Sequence, residues 1–151
     1  MKIYQGSIKQ FMKLWSYSNS KTYNYFVSGI KNNIIEFWTI ELNDELIAEL
    51  YIFWDSVDKE EANNFNRAYL CAFRVNKNHQ GKGLGSLLIR RVLKRIKEKG
   101  FKEVSVMYYQ LKDMSILNQN DWDKCYEFFF NHMVLLEEAF LDVKEVVMYR
   151  V

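Results

Sequence analysis

Three glycines at alternate positions, Gly81, Gly83 and Gly85, separate an apolar stretch ending at Val75 from a run of helix formers that begins at Leu84. Glycine lets the main chain approach a ligand with no Cβ in the way. A helix also starts with N–H groups that have no partner of their own, so a glycine turn feeding a helix makes an anion site, most often for phosphate. Spacing selects among phosphate ligands. No glycine is followed by Lys-Ser or Lys-Thr as G-x-x-x-x-G-K-[ST] requires. A dinucleotide fingerprint begun at Gly81 would put Ser86 at its third glycine, and the acidic residues downstream, Glu98 and Glu103, do not close a convincing strand. The pattern that remains is Gln80-x-x-Gly83-x-Gly85, five residues after Val75. The alternative is a glycine-rich turn with no ligand, which the entropy cost of three such glycines disfavours.

The elements around this turn follow from periodicity. Arg67 to Val75 reads as the strand that feeds it. Leu84, Leu88, Val92 and Ile96 repeat every fourth residue, with Ile89 and Leu93 beside them, so the following helix should lay an apolar stripe on a sheet and leave its basic residues outside. Gly100 stops that helix, and Phe101 to Tyr109 should form the next strand, parallel to the first through a right-handed crossover. Upstream, Met1 to Gln5 suits a short strand, and Ile8 to Tyr17 and Ser20 to Ile30 suit helices. Ile34 to Leu42 and Leu46 to Trp54 make a hairpin about an Asn43-Asp44 turn, followed by a polar loop from Asp55 to Asn66. Downstream, a helix is expected over Asp121 to Asn131, and strands over Met133 to Glu137 and Val143 to Val151.

A chain of 151 residues with 49% apolar and 17% aromatic content suits one domain, 1–151, with a well-filled core. There is no proline, no Ser/Gly-rich linker, no apolar run long enough for a membrane span and no signal-peptide core, so no membrane partner is expected. Cys71 and Cys125 are isolated and suggest reduced thiols in a cytoplasmic protein, while His79 and His132 lack the neighbours of a metal site, so no metal is expected. The net charge of +2 conceals a segregation: nine acidic residues against one basic from Glu36 to Glu61, then ten basic against one acidic from Arg74 to Lys102. These are ordinary solvated faces, or a basic segment for a polyanion beside an acidic segment for a cation. The basic helix has no aromatic interleaving, which argues against a nucleic-acid partner.

The loop Gln80-x-x-Gly83-x-Gly85, reached from a strand and entering a helix, resembles the acyl-CoA pyrophosphate loop of the GNAT superfamily of N-acetyltransferases. The order of elements is similar to that fold along the whole chain, and the motifs are specific from about Arg67 to Tyr109. The strand Arg67-Ala-Tyr-Leu-Cys-Ala-Phe-Arg-Val75 looks like that of a set of small bacterial members. The resemblance implies an α/β mixed sheet whose central pair of parallel strands splays apart. It also implies direct transfer of the acetyl group of acetyl-CoA to the primary amine of a small cationic acceptor, without an acyl-enzyme.

By the same resemblance, the backbone of Gln80, Gly81, Lys82, Gly83, Leu84, Gly85 and Ser86 should cradle the pyrophosphate. That of Phe73, Arg74 and Val75 should pair with the pantetheine arm, with an N–H near Phe73 polarising the thioester carbonyl. A tyrosine protonates the departing thiolate in many members. Tyr126 is the match, although Phe130-Asn131 replaces the usual Gly-Phe, and an aromatic on a buried helix face is its other role; Tyr108 and Tyr109 stand in reserve. Histone-type members carry a glutamate where this strand has Arg67, which cannot act as a base. Glu49 is the substitute, acting directly or through water, against the alternative of a surface strand carboxylate. The last strands offer a route to a homodimer. A protein that binds acyl-CoA without efficient transfer is the rival reading.

Overall fold

The computed structural model describes residues 1–15, 20–108 and 146–150. Its strands are β1 (Lys2–Gln5), β2 (Ile35–Leu42), β3 (Glu45–Phe53), β4 (Arg67–Val75), β5 (Glu103–Tyr108) and β6 (Val146–Arg150). Its helices are α1 (Ile8–Leu14), α2 (Lys21–Lys31) and α3 (Leu84–Glu98). The sheet runs β1-β2-β3-β4-β5-β6, antiparallel through β4 and parallel from β4 to β5 and from β5 to β6. The expected helix over 121–131 and strand over 133–137 lie outside the described residues.

Asn43 and Asp44 both take positive φ (51° and 63°), the mirror-image two-residue turn whose twist suits a hairpin. β2 and β3 bury almost every side chain because helices cover both faces of the sheet, so their sequences read as unbroken apolar runs. On one face α3 presents Leu88, Ile89, Val92, Leu93 and Ile96 to Trp38, Ile40, Leu50, Ile52, Trp54, Ala68 and Leu70. Each such buried side chain contributes about 1.5–3 kcal/mol. On the other, α1 and α2 pack Phe11, Tyr23 and Phe26 against Phe37, Tyr51, Phe53 and Tyr69.

The ends of the helices are chemically specified. Ser7 and Gln10 form a reciprocal capping box on α1. At the far end of α3, Gly100 (φ 86°) donates to Lys97 O at 2.9 Å and Phe101 to Ile96 O at 3.3 Å, a Schellman closure that glycine alone adopts without strain. The basic residues of α3 do not all face solvent as the stripe suggests. Arg95 lies on the sheet in a two-pronged pair with buried Glu36 (2.8 and 3.1 Å), whose carboxylate also accepts from Trp38 Nε1 at 3.0 Å. That hydrogen bonding holds the Arg95 guanidinium above its already high range. Arg91 stacks over the Trp38 ring at 4.7 Å. The long stems of both arginines reach past the apolar stripe, which a count of charges along the helix does not reveal.

Candidate active site

β4 pairs with β5 only from Arg67↔Glu103 to Leu70↔Val106, although both strands continue beyond that point. The parallel strands therefore part just after Leu70. The next residues of β4 contain an irregularity: the register against β3 shifts between Glu49↔Arg74 and Tyr51↔Cys71, and Ala72 takes φ 51°. This bulge inserts one residue and reverses the alternation of the strand. Ala68 and Leu70 face α3 before it and Phe73 and Val75 face α3 after it, while Cys71 and Ala72 both lie on the α1–α2 side. The bulge thus sends the Arg74 side chain to the α1–α2 side, opposite to Phe73 and Val75.

The chain leaves β4 through Asn76 and a single 3-10 turn, Lys77–His79, that periodicity did not indicate. The loop braces itself: Gln80 Nε2 donates to Val75 O at 2.9 Å and Lys82 Nζ to Asn78 O at 3.2 Å. Gly81 and Gly83 take φ 73° and 74°, and a Cβ at either would point into open space. Gly83 is also the N-cap of α3, with no side-chain cap, so the start of the helix opens onto the loop. Open space above left-handed glycines at an uncapped helix start suits the phosphates of a coenzyme. Gly85 is enclosed where the other two are open. A Cβ there would lie 2.8 Å from Phe73 Cζ, so its small size serves the close packing of α3 on β4.

Glu49, expected either as a base or as a surface carboxylate, is buried at 7% exposure. Its Oε2 accepts from Tyr51 Oη at 2.5 Å and from Trp15 Nε1 at 3.1 Å, and its Oε1 pairs with Arg74 Nε at 2.6 Å. Burial pushes the Tyr51 phenol far above the ordinary tyrosine range, and the adjacent carboxylate adds to this, so Tyr51 is a fixed donor. Glu49 and Arg74 line a cleft of about 230 Å³ with Leu14, Ala48, Val75 and Asn76. Arg74 joins this site across strands, as the β4 partner of Glu49, whereas Tyr51 reaches Glu49 along β3. The one local signal was Glu49-x-Tyr51, two residues apart and therefore on one face of a strand.

Other residues resolve into structural roles. Arg67 pairs with Glu103 at 2.8 Å and with Glu60 at 3.2 Å, which ties β4 to β5 and to the preceding loop. Cys71 is half-buried beside the bulge, and burial raises its thiol above the usual range, which opposes a nucleophilic role. The acidic segment is largely neutralised within the chain: Glu36, Glu41, Glu49, Asp55 and Glu60 all have cationic partners. Tyr126 and Tyr109, as well as Cys125 and His132, lie outside the described residues. Among the described residues no cluster of His, Cys, Asp and Glu suits a metal ion, and no helix is long and apolar enough to cross a membrane.

A sheet that opens beside a glycine loop is the arrangement the sequence resemblance implied. The sequence model of the Acetyltransferase (GNAT) family matches residues 2–113, and the chain belongs to that family. No curated protein matches the sequence. Among solved structures, the chain is similar to an apo aminoglycoside antibiotic 6'-N-acetyltransferase from Acinetobacter haemolyticus, at 16% identity and TM-score 0.58, over 99% of this chain and 97% of that one. It is similar to a ribosomal-protein-alanine N-acetyltransferase from Brucella melitensis biovar Abortus, at 12% identity and TM-score 0.56, over 85% and 91% of the two chains. A predicted acetyltransferase from Clostridium acetobutylicum with acetyl-CoA aligns at 15% identity and TM-score 0.51, over 70% and 79%. At these identities the likeness is one of fold.

Proposed function

We propose that this protein transfers the acetyl group of acetyl-CoA directly to the primary amine of a small, ammonium-bearing acceptor. The observation that carries the reading is the parting of β4 from β5 after Leu70, beside the open cradle at Gly81 and Gly83. Acetyl-CoA supplies an activated thioester: the amine nitrogen forms the new amide bond, the C–S bond breaks, and the sulfur leaves as thiol.

The chain's own residues then have three tasks. The loop from Gln80 to Ser86 and the start of α3 hold the phosphates through backbone donors and the helix dipole. The β4 backbone past the bulge aligns the extended arm and directs a backbone donor at the carbonyl. Glu49 takes the ammonium proton, directly or through one water, and Tyr126 returns a proton to sulfur. A carboxylate offers about four acceptor positions, and the two hydrogen bonds to Glu49 fall on Oε2, so Oε1, ion-paired with Arg74, keeps acceptor capacity for the incoming amine.

The neighbours whose names specify acceptors act on aminoglycosides or on a ribosomal protein, so acceptor chemistry varies widely on this fold. A second reading, acyl-CoA binding without efficient transfer, is favoured by Arg67, whose ion pairs occupy the strand position where a base would otherwise stand. One experiment separates the two. Acetyl-CoA is incubated with an amine panel, and free thiol and acetylated product are measured for wild type and Glu49→Gln. Transfer reduced in the variant, with loss of the acidic limb of the pH–rate profile, supports the proposal. Coenzyme binding without turnover supports the second reading.

A further inference from the structure

The cleft carries two charges of opposite sign, and they are not equally engaged. Glu49 is buried, accepts two hydrogen bonds and is ion-paired, whereas the Arg74 side chain is 55% exposed and meets Glu49 through Nε. A guanidinium has five N–H donors in a planar fork. Among the described residues the Nη groups of Arg74 meet no acceptor, and they belong to a residue that lines the cleft. Their place is well determined. Arg74 is the direct cross-strand partner of Glu49, the bulge at Ala72 turns it to the α1–α2 side, and its guanidinium lies 5.3 Å from the centre of the Trp15 ring. A planar cation so supported presents a flat, two-donor edge, the geometry that matches a carboxylate.

We infer that the acceptor is zwitterionic: its carboxylate is held by the Nη edge of Arg74, and its amine lies toward the remaining acceptor position of Glu49. This rests on the acetyl-transfer reading and narrows it to amines of amino-acid type. A polycation would find the Glu49 charge already matched and a guanidinium facing it. A molecule carrying both signs complements the Glu49–Arg74 pair in reverse and leaves neither charge unmatched. The same fork also suits a phosphate, which the test distinguishes.

The test is a calorimetric titration of CoA-loaded protein with L-amino acids, each paired with its amide, and with phosphoethanolamine. In at least one pair the free carboxylate should bind about 10- to 100-fold more tightly than the amide, the range of a charged hydrogen bond. Arg74→Gln should abolish that preference with little change in amide affinity. Arg74→Lys, which keeps Glu49 paired but loses the fork, should retain part of it. Equal affinity within every pair, or binding of neither member, overturns the inference. So does a preference that survives Arg74→Gln, or a stronger preference for phosphoethanolamine. The readout needs no chemistry. A carboxylate preference without acetylated product leaves this inference standing and removes the transfer reading, and turnover without preference does the reverse.

Discussion

Gly83→Ala isolates the cradle because the strain it introduces has a built-in control. Gly83 has φ 74°, and a Cβ added there meets nothing within 4 Å. The substitution therefore costs backbone strain without a clash, about 1–2 kcal/mol for an L-residue held in the left-handed region. In a protein of this size that lowers Tm by roughly 2–8 °C. Gly100 sits at the opposite end of α3 with φ 86° and the same open surroundings, so Gly100→Ala should lose stability to a similar extent. The two variants differ in what the new methyl faces. At Gly83 it stands over the uncapped start of α3, where it should displace a phosphate oxygen from its backbone donors and weaken CoA binding by about 10- to 100-fold, equivalent to one charged hydrogen bond. At Gly100 it should leave CoA affinity unchanged. Calorimetric titration with CoA, alongside thermal unfolding of both variants, makes the comparison. Matched losses of stability with CoA affinity retained in Gly83→Ala would refute the placement of the pyrophosphate.

Glu36→Ala should cost about 3 kcal/mol in urea unfolding, near the lower bound for breaking a buried ion pair because Arg95 is one-third exposed; a loss below about 1 kcal/mol would mean that α3 is anchored by its apolar stripe alone. Tyr51 introduces a dependence on alkaline pH. Its folded-state pKa lies above the unfolded value, so its contribution to stability is complete below about pH 10 and declines as pH rises further, by about 1.4 kcal/mol per unit. Tyr51→Phe should remove that decline, and an alkaline profile equal to wild type would discount the Glu49–Tyr51 contact. Tyr126→Phe should lower turnover far more than it lowers CoA affinity, and an unchanged rate would assign Tyr126 to packing.

Local chemistry accounts for much of what was legible beforehand. β4 was readable to the residue as Arg67–Val75, because an apolar run with two aromatics ends at a polar turn. The apolar stripe of α3 and its stop at Gly100 were readable because helical period and a left-handed cap are properties of a few neighbouring residues. The bulge at Ala72 carried no such signal. Alanine has no preference for φ 51°, and the irregularity arises where β4 must satisfy β3 on one side while it parts from β5 on the other. Gly85 shows the limit of reading a glycine by its neighbours: its partner is the Phe73 ring, across the helix–strand contact.

The sequence by itself determined the glycine loop and helix start proposed to hold the acetyl donor, because they form one contiguous segment after β4. Tertiary structure alone decided the cleft proposed for the acceptor. Trp15, Glu49, Tyr51 and Arg74 come from the end of α1, from β3 and from β4, and the sheet register with the phase reversal at Ala72 brings Arg74 to the Glu49 side chain. The charge of that cleft was likewise hidden from composition. A segment with nine acidic residues suggested a surface for a cation, but ion pairs across the sheet, from α3, and within and from the loop before β4 neutralise five of them, and among the described residues the Arg74 Nη edge beside buried Glu49 stays open.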